Sequence, residues 1–356
     1  MRSFITADNP GTKVLFSGNE AIARGCVEAG VSLVTGYPGT PTTPVIEILN
    51  EAGSQIQAAW SVNEKVAMDV ATGNSWAGLR SLVTMKMTGL NVASDTVLSV
   101  AASGTVGGLV IYVGDDPNVY YGMVEQDSRY FALLSAAPML VPANPQEMLD
   151  FTRHAFELSE KIGGPVFLRS TTVLSYTYGK VALGEIRRLR QKAHFSFDIE
   201  KYTKAGSIRC RRQHQEALQR VEMFGQEADD LNLLVKTGSK IGVIASSLAW
   251  DYLMEVLEKN DLDLTRVKVS TAHPVPRDKI REVLDSTEKV LVLEELEPII
   301  EGVVRAEATL IKDPPGIYGK DGGLVPRVGD LSPDQVREYL SHVIDRDLEA
   351  CPGLDI

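Results

Sequence analysis

The chain has 356 residues, enough for two or three domains, and its 44% hydrophobic and 23% charged residues are those of an ordinary globular protein. A net charge of −11 argues against broad, salt-dependent binding to nucleic acid but leaves room for a local basic patch facing an anionic cofactor. Cys26, Cys210 and Cys351 form no CxxC or CxxH pattern, which argues against a disulfide framework, a zinc site or an iron–sulfur cluster held by this chain alone.

The N-terminus lacks a signal-peptide core, and no stretch approaches the ~18 apolar residues of a membrane span, so a cytoplasmic protein is expected. "KVLFSG" (13–18) reads as a short strand or extended lead-in, and 18–30 as a helix with Asn19 as N-cap and Gly30 as stop. A strand over 31–35, a helix over 42–52, the strand "QIQAAW" and a helix over 62–77 follow. Then come a strand at 80–86, a helix at 90–102 and a strand at 107–114. "PMLVP" (138–142), an Asn144-capped helix (144–163) and a strand at 164–170 close the run. Continuous apolar strands alternating with helices predict a parallel sheet covered on both faces, in a domain of residues 1–175.

Residues 171–235 break the rhythm, with a basic half followed by an acidic one. They predict a partly helical surface connector (176–236); the lack of interleaved aromatics argues against a nucleic-acid arm. Strand–helix alternation resumes over 239–260, with a strand and turn at 266–276 and a helix and strand over 276–298. A further helix and a Ser332-capped helix complete a smaller α/β domain, 237–356.

In open parallel sheets ligands gather beyond the carboxyl ends of the strands. Four unusual loops fall there: "GYPGTPTTP" (36–44), "SVNEK" (61–65), "KMTGLNVASD" (86–95) and "GDDPNVYYGMVEQDSRYF" (114–131). Thr40, Thr42 and Thr43 offer hydroxyls on a backbone stiffened by Pro38, Pro41 and Pro44. Ser61 and Glu64 have capping-box spacing, so the bare motif reads as a helix start. Dinucleotide, P-loop and nucleophile-elbow motifs are absent. The "GDD" at 114–116 and "GD" at 329–330 lack a downstream asparagine suited to diphosphate-bound magnesium. Of the five histidines only His273, in "TAHPVP", stands out, and it reads as a turn residue.

The order "GNEAIARGCVEAG…GYPGTPTTP…WSVNEKVA…KMTGLNVASD…EQDSRYF…GPVFLRSTT", with "HPVP", "VLVLEELEP" and "PRVGDLSPD" later, resembles the thiamine-diphosphate-dependent 2-oxoacid:ferredoxin oxidoreductases. Within them it is most similar to α subunits of the indolepyruvate type, over nearly the whole chain except the connector. The resemblance implies a pyrimidine-binding α/β domain and a transketolase-C-terminal-like domain. The family's diphosphate-binding and ferredoxin-like segments lie beyond the matched stretch, which implies a split subunit. Thiamine diphosphate would be shared with a β-type diphosphate-binding subunit, and Mg2+ and iron–sulfur clusters held by partners, among them a γ-type and a ferredoxin-like subunit.

The reaction implied is oxidative decarboxylation of a 2-oxoacid, with coenzyme A accepting the acyl group. By the same resemblance Glu64 is the carboxyl group that faces N1′ of the aminopyrimidine, which needs apolar surroundings such as "AAWSV" and "VAMDVA" supply. Tyr37, Met85, Gly89 and Gln126 would contact the cofactor, and Thr40, Pro38, Gly39 and Asn91 the substrate. Pyruvate-type relatives place an arginine in the loop after the fourth strand, where this chain reads "GDDPNVYY" and reaches Arg129 only later. That departure favours an arylpyruvate or arylglyoxylate. The alternatives are a non-oxidative thiamine-dependent decarboxylase subunit, which the second domain argues against, and a non-catalytic paralogue, which Glu64 argues against.

Overall fold

The computed structural model describes residues 4–187 and 192–350, so Cys351 lies outside the described residues. β1 (Lys13–Ser17) leads into α1 (Gly18–Glu28), β2 (Leu33–Gly36), α2 (Pro44–Glu51), β3 (Gln57–Trp60), α3 (Glu64–Trp76), β4 (Ser81–Lys86) and α4 (Met87–Ser103). β5 (Leu109–Asp115), α5 (Arg129–Ser135), β6 (Met139–Leu140), α6 (Pro145–Ile162) and β7 (Val166–Thr171) follow. The connector holds α7 (Thr172–Tyr176), β8 (Tyr178–Ala182), α8 (Ile199–Tyr202), α9 (Ser207–Glu227) and β9 (Leu234–Val235). Beyond it run β10 (Ile241–Ser246), α10 (Leu248–Lys259), β11 (Thr265–Val269), β12 (Thr271–His273) and α11 (Arg277–Ser286). β13 (Lys289–Leu293), α12 (Ile299–Ala308), β14 (Gly316–Tyr318) and α13 (Pro333–Ile344) end the chain order.

The large sheet has the order β12-β6-β7-β5-β4-β2-β3, parallel except for β12. β5 and β7 are buried along their whole length, as continuous apolar runs between two helical layers require. The smaller sheet runs β14-β13-β10-β11-β9, with β9 antiparallel at its edge. β1 stands apart from both, paired antiparallel with β8 from the connector.

Two helix starts differ from expectation. α1 is capped by Ser17, whose hydroxyl accepts from Glu20 N at 3.3 Å while Glu20 accepts from Ser17 N at 2.8 Å. Asn19 already lies inside the helix and instead donates to the Pro41 carbonyl at 3.0 Å, holding the 36–44 loop. α3 begins one residue after Asn63, which is extended and accepts from Val66 N at 2.8 Å. Ser61 is therefore two residues too early for a cap box with Glu64, and its hydroxyl pairs with Thr35 at 3.0 Å. Glu64 is left without a capping duty.

Three of the connector's basic residues are consumed locally. Lys201 donates to the Thr105 carbonyl at 2.7 Å, Lys204 to the Ser103 hydroxyl, and Arg220 to the Ala101 carbonyl at 3.0 Å. These groups surround the C-terminus of α4, where cations offset the negative end of the helix dipole. α9 packs against α4 and α6. α4 is 17 residues long, about 25 Å at 1.5 Å per residue, so these connector contacts lie at the opposite end of the helix from Glu64.

β12 joins the two units. The chain leaves β11 in the small sheet and adds three residues to the edge of the large one, pairing Thr271 with Leu140 and His273 with Met139. Asn232 fixes the crossover by accepting from Ser270 N at 2.8 Å and Thr271 N at 3.1 Å. His273 is thus a strand residue, not a turn residue. A second tie is Arg129, fully buried and donating to Asp127, to Glu294 at 2.5 Å, and to the carbonyls of Glu295 and Glu297 at 2.8 and 2.7 Å. Burial disfavours the guanidinium's charge, but Asp127 and Glu294 outweigh it and hold the group ionised.

Removing one partner from a buried ion network leaves the others uncompensated. Arg129→Met is expected to cost about 3–5 kcal/mol of unfolding free energy, read from denaturant midpoints. A loss below about 1 kcal/mol would show that the network is dispensable. Burial pushes the His273 imidazole down from 6.5 to about 4. The unfolded chain therefore takes up a proton that the native one refuses. Stability should fall as pH drops from 6.5 towards about 4, and His273→Gln should flatten that slope in pH-dependent denaturation.

Candidate active site

The carboxyl ends of β2, β4, β5 and β7 open onto one edge, where the four unusual loops meet. Glu64, the first residue of α3, lays its side chain across the backbone of Gly89 in α4. A Cβ on Gly89 would stand 2.6 Å from both Cγ and Oε1 of Glu64. Only glycine permits this approach. Among the described residues the Glu64 carboxylate has no hydrogen-bond or ion-pair partner. The apolar enclosure expected around it is not built by its sequence neighbours, since Val62 is 79% exposed and Trp60 and Val66 also face outward. Glu64 is half-buried at an open rim.

The 36–44 loop crosses from β2 towards β5, where a Cβ on Gly114 would meet Pro41 at 2.5 Å. Its three threonines have separate duties. Thr43 accepts from Gly39 N at 2.7 Å and Thr42 donates to the Gly39 carbonyl at 3.1 Å, so both shape the turn. Thr40 keeps its hydroxyl for the edge, where it faces the Tyr176 phenol. Burial raises the Tyr176 phenol above its ordinary value, with Tyr121 and Glu47 adding and the Thr40 hydroxyl opposing.

Asn91 and Gln126 exchange amide hydrogen bonds of 2.9 and 2.6 Å, which fastens the 114–131 loop to α4. Tyr37 and Pro38 are exposed beside Gly39, whose Cα lies against the stem of Lys86. Met85 differs from the rest: its side chain is fully buried with Met68, Leu90 and Ala93, below the edge rather than on it. The structure thus brings Glu64, Gly89, Asn91, Gln126, Gly39 and Thr40 to one edge.

Sequence reasoning missed Tyr121 and Tyr176, whose rings meet with centroids 6.3 Å apart at 52°. Asp116 sets Tyr121 in place, accepting from Tyr121 N at 2.7 Å and from the Thr172 hydroxyl at 2.6 Å. The signal available for Tyr121 was the aromatic pair in "NVYYGM", in the loop after β5. No group of three His, Cys, Asp or Glu side chains able to hold a metal ion occurs among the described residues.

Residues 24–232 match the family described as pyruvate flavodoxin/ferredoxin oxidoreductase, thiamine diphosphate-binding. The chain belongs to that family. Indolepyruvate oxidoreductase subunit IorA of Methanothermobacter thermautotrophicus is 37% identical over 339 residues, covering 93% of this chain and 54% of the relative. The IorA subunit of Pyrococcus abyssi is 36% identical, covering 94% and 53%. 2-Oxoglutarate synthase subunit KorA of M. thermautotrophicus is 26% identical over 52% of this chain and 51% of its own. The chain therefore spans about half the length of the IorA relatives it matches.

Among solved structures, a 2-oxoglutarate:ferredoxin oxidoreductase from Magnetococcus marinus, with 2-oxoglutarate, coenzyme A and succinyl-CoA bound, aligns with a TM-score of 0.73 at 15% identity. It covers 93% of this chain and 65% of that one. A split-gene transketolase, described as an inactive β4 tetramer, aligns at 0.58 and 14% identity over 93% and 98%. At those identities the two show fold alone. It is the expected one, a family pyrimidine-binding α/β domain with a transketolase-C-terminal-like companion. No helix among the described residues is long and apolar enough to cross a membrane.

The Gly89 contact yields a test within the family site. Gly89→Ala should displace the Glu64 carboxyl while leaving the helix intact, because alanine favours helix. Circular dichroism and melting should match the parent while turnover of the reconstituted complex falls at least tenfold. Unchanged turnover would show that the close approach has no catalytic meaning.

Proposed function

We propose that this chain is the pyrimidine-side subunit of a thiamine-diphosphate-dependent 2-oxoacid:ferredoxin oxidoreductase. The reaction is oxidative decarboxylation of a 2-oxoacid, an arylpyruvate or arylglyoxylate, to acyl-CoA and CO2. The observation that carries this reading is Glu64, unpartnered and pressed onto Gly89 at the rim where the family's cofactor-binding loops converge.

The residues fit the aminopyrimidine half of the cofactor. Glu64 offers one free carboxyl, and Gly89 leaves its Cα without a side chain beside it. When bound, thiamine diphosphate supplies the carbanion chemistry that a protein side chain cannot. Glu64 holds and returns the proton at N1′ of the pyrimidine ring. Its half-open position means that a partner must complete the apolar enclosure, and we assign that role to the β-type subunit. The same subunit is assigned the diphosphate and Mg2+; iron–sulfur clusters are assigned to a ferredoxin-like partner, with a γ-type subunit completing the assembly. Coenzyme A takes the acyl group at a place this chain's residues do not define.

Thr40 donates to the substrate's keto oxygen or carboxylate. Two features support an aryl side chain. Arg129 is spent on the buried interdomain network and is not free to clamp a small 2-oxoacid. Tyr121 and Tyr176, 60% and 41% exposed, present aromatic faces beside Thr40, and tilted ring pairs are worth about 0.5–1.5 kcal/mol beyond area burial.

Glu64→Gln tests the catalytic assignment. Because Asn63 caps α3, the helix should keep its melting point. Exchange of the thiazolium C2 proton in the reconstituted complex should drop by orders of magnitude, since an amide cannot share the N1′ proton. Normal exchange would remove Glu64 from the mechanism. Release of CO2 without reduction of ferredoxin would favour the non-oxidative decarboxylase instead.

A further inference from the structure

We infer that Lys86 is the anchor for the substrate carboxylate, the counter-charge that the loop after β5 does not provide. This rests on the 2-oxoacid reading above, whose substrate carries a negative charge that a half-buried edge must balance.

Lys86 ends β4, which lies next to β2 and β5 in the large sheet, and is half-buried. Its stem lies along Gly39, where an added Cβ would meet Lys86 Cγ at 3.2 Å and Cδ at 3.4 Å. Gly39 immediately precedes Thr40, so the lysine and the threonine hydroxyl serve the same short stretch of the edge. Among the described residues the Lys86 ammonium has no hydrogen-bond or ion-pair partner.

Local structure does not account for this lysine. It occupies the N-cap of α4 and makes no side-chain cap bond there. Caps favour Ser, Thr, Asp or Asn, and a cation at a helix N-terminus faces the positive end of the dipole. A residue that breaks a local rule without a compensating contact belongs with function rather than folding. Other edge cations are already engaged: Arg129 in its network and Arg169 with Asp115 at 2.6 Å.

A 2-oxoacid places its carboxylate one bond from the keto carbon. One cation beside one hydroxyl therefore suffices to hold both oxygens, Lys86 taking the carboxylate and Thr40 the keto oxygen. The ammonium is a compact charge that needs no planar fork.

The test compares acid and amide binding. In the reconstituted complex, calorimetry measures 3-phenylpropanoate against 3-phenylpropanamide for the parent, Lys86→Met and Lys86→Arg. The parent should prefer the acid by about 10- to 100-fold, the range of a hydrogen bond to a charged group. Lys86→Met should abolish that preference and raise KM for phenylpyruvate more than it lowers kcat, and Lys86→Arg should restore most of both. An acid preference retained in Lys86→Met overturns the inference even if the complex oxidises 2-oxoacids. A parent complex that prefers the acid, loses the preference in Lys86→Met, yet oxidises no 2-oxoacid, supports the anchor and overturns the proposed reaction.

Discussion

Arg129 is the interaction on which the arrangement of the site depends. One guanidinium, fully buried, closes the loop after β5 against the loop after β13 through two carboxylates and two carbonyls. Glu294 in turn accepts from Ile300 N at 3.0 Å and Glu301 N at 2.8 Å, so the same network caps α12. Glu125 and Tyr120 add ties to Gly329 and Asp330 of the second unit. The 114–131 loop, which carries Tyr121 and Gln126, is therefore positioned by residues far from it in sequence. A buried charge of this kind is a costly way to gain stability and a selective way to fix register between two bodies.

On that frame the site divides into parts that shape and parts that are left to act. Thr42 and Thr43 fold the 36–44 turn, Asp116 orients Tyr121, and Asn91 with Gln126 fastens loop to helix. Glu64 and Lys86 lack such structural duties, and the Thr40 hydroxyl meets only the Tyr176 phenol. Carboxyl, hydroxyl and ammonium groups thus share one rim whose backbone is held by the contacts just described. Preorganisation of this sort lowers the ordering cost of binding.

Much of this was legible in the sequence, for identifiable reasons. Strands β4, β5 and β7 announce themselves because burial on both faces demands unbroken apolar runs. Glu64, Thr40, Gly89, Asn91 and Gln126 were reachable through family motifs that keep short-range spacing. Caps were misread where two candidates lay within three residues: Ser17 outcompetes Asn19, and Asn63 outcompetes Ser61, because extended backbone must come directly before the first helical turn. β8, β12 and the partners of Arg129 were invisible, since each depends on residues brought together from distant parts of the chain. Arg24 carries the same lesson. Its charge sits at zero exposure inside α1 because Glu28 and the carbonyls of Phe4, Ile5, Ala7 and Gly184 surround it, none of which a helical pattern could forecast.

The loan of β12 to the large sheet has a consequence for biosynthesis. During vectorial translation the first unit emerges with β6 unpaired on its outer side, an adhesive edge of the kind that recruits strands from other chains. That edge is sealed only when residues 271–273 leave the ribosome, and the 114–131 loop is pinned only once residues 294–330 follow. The 114–131 loop thus stays unpinned until the second unit has been made. The topology itself therefore makes order in this loop wait on the second unit.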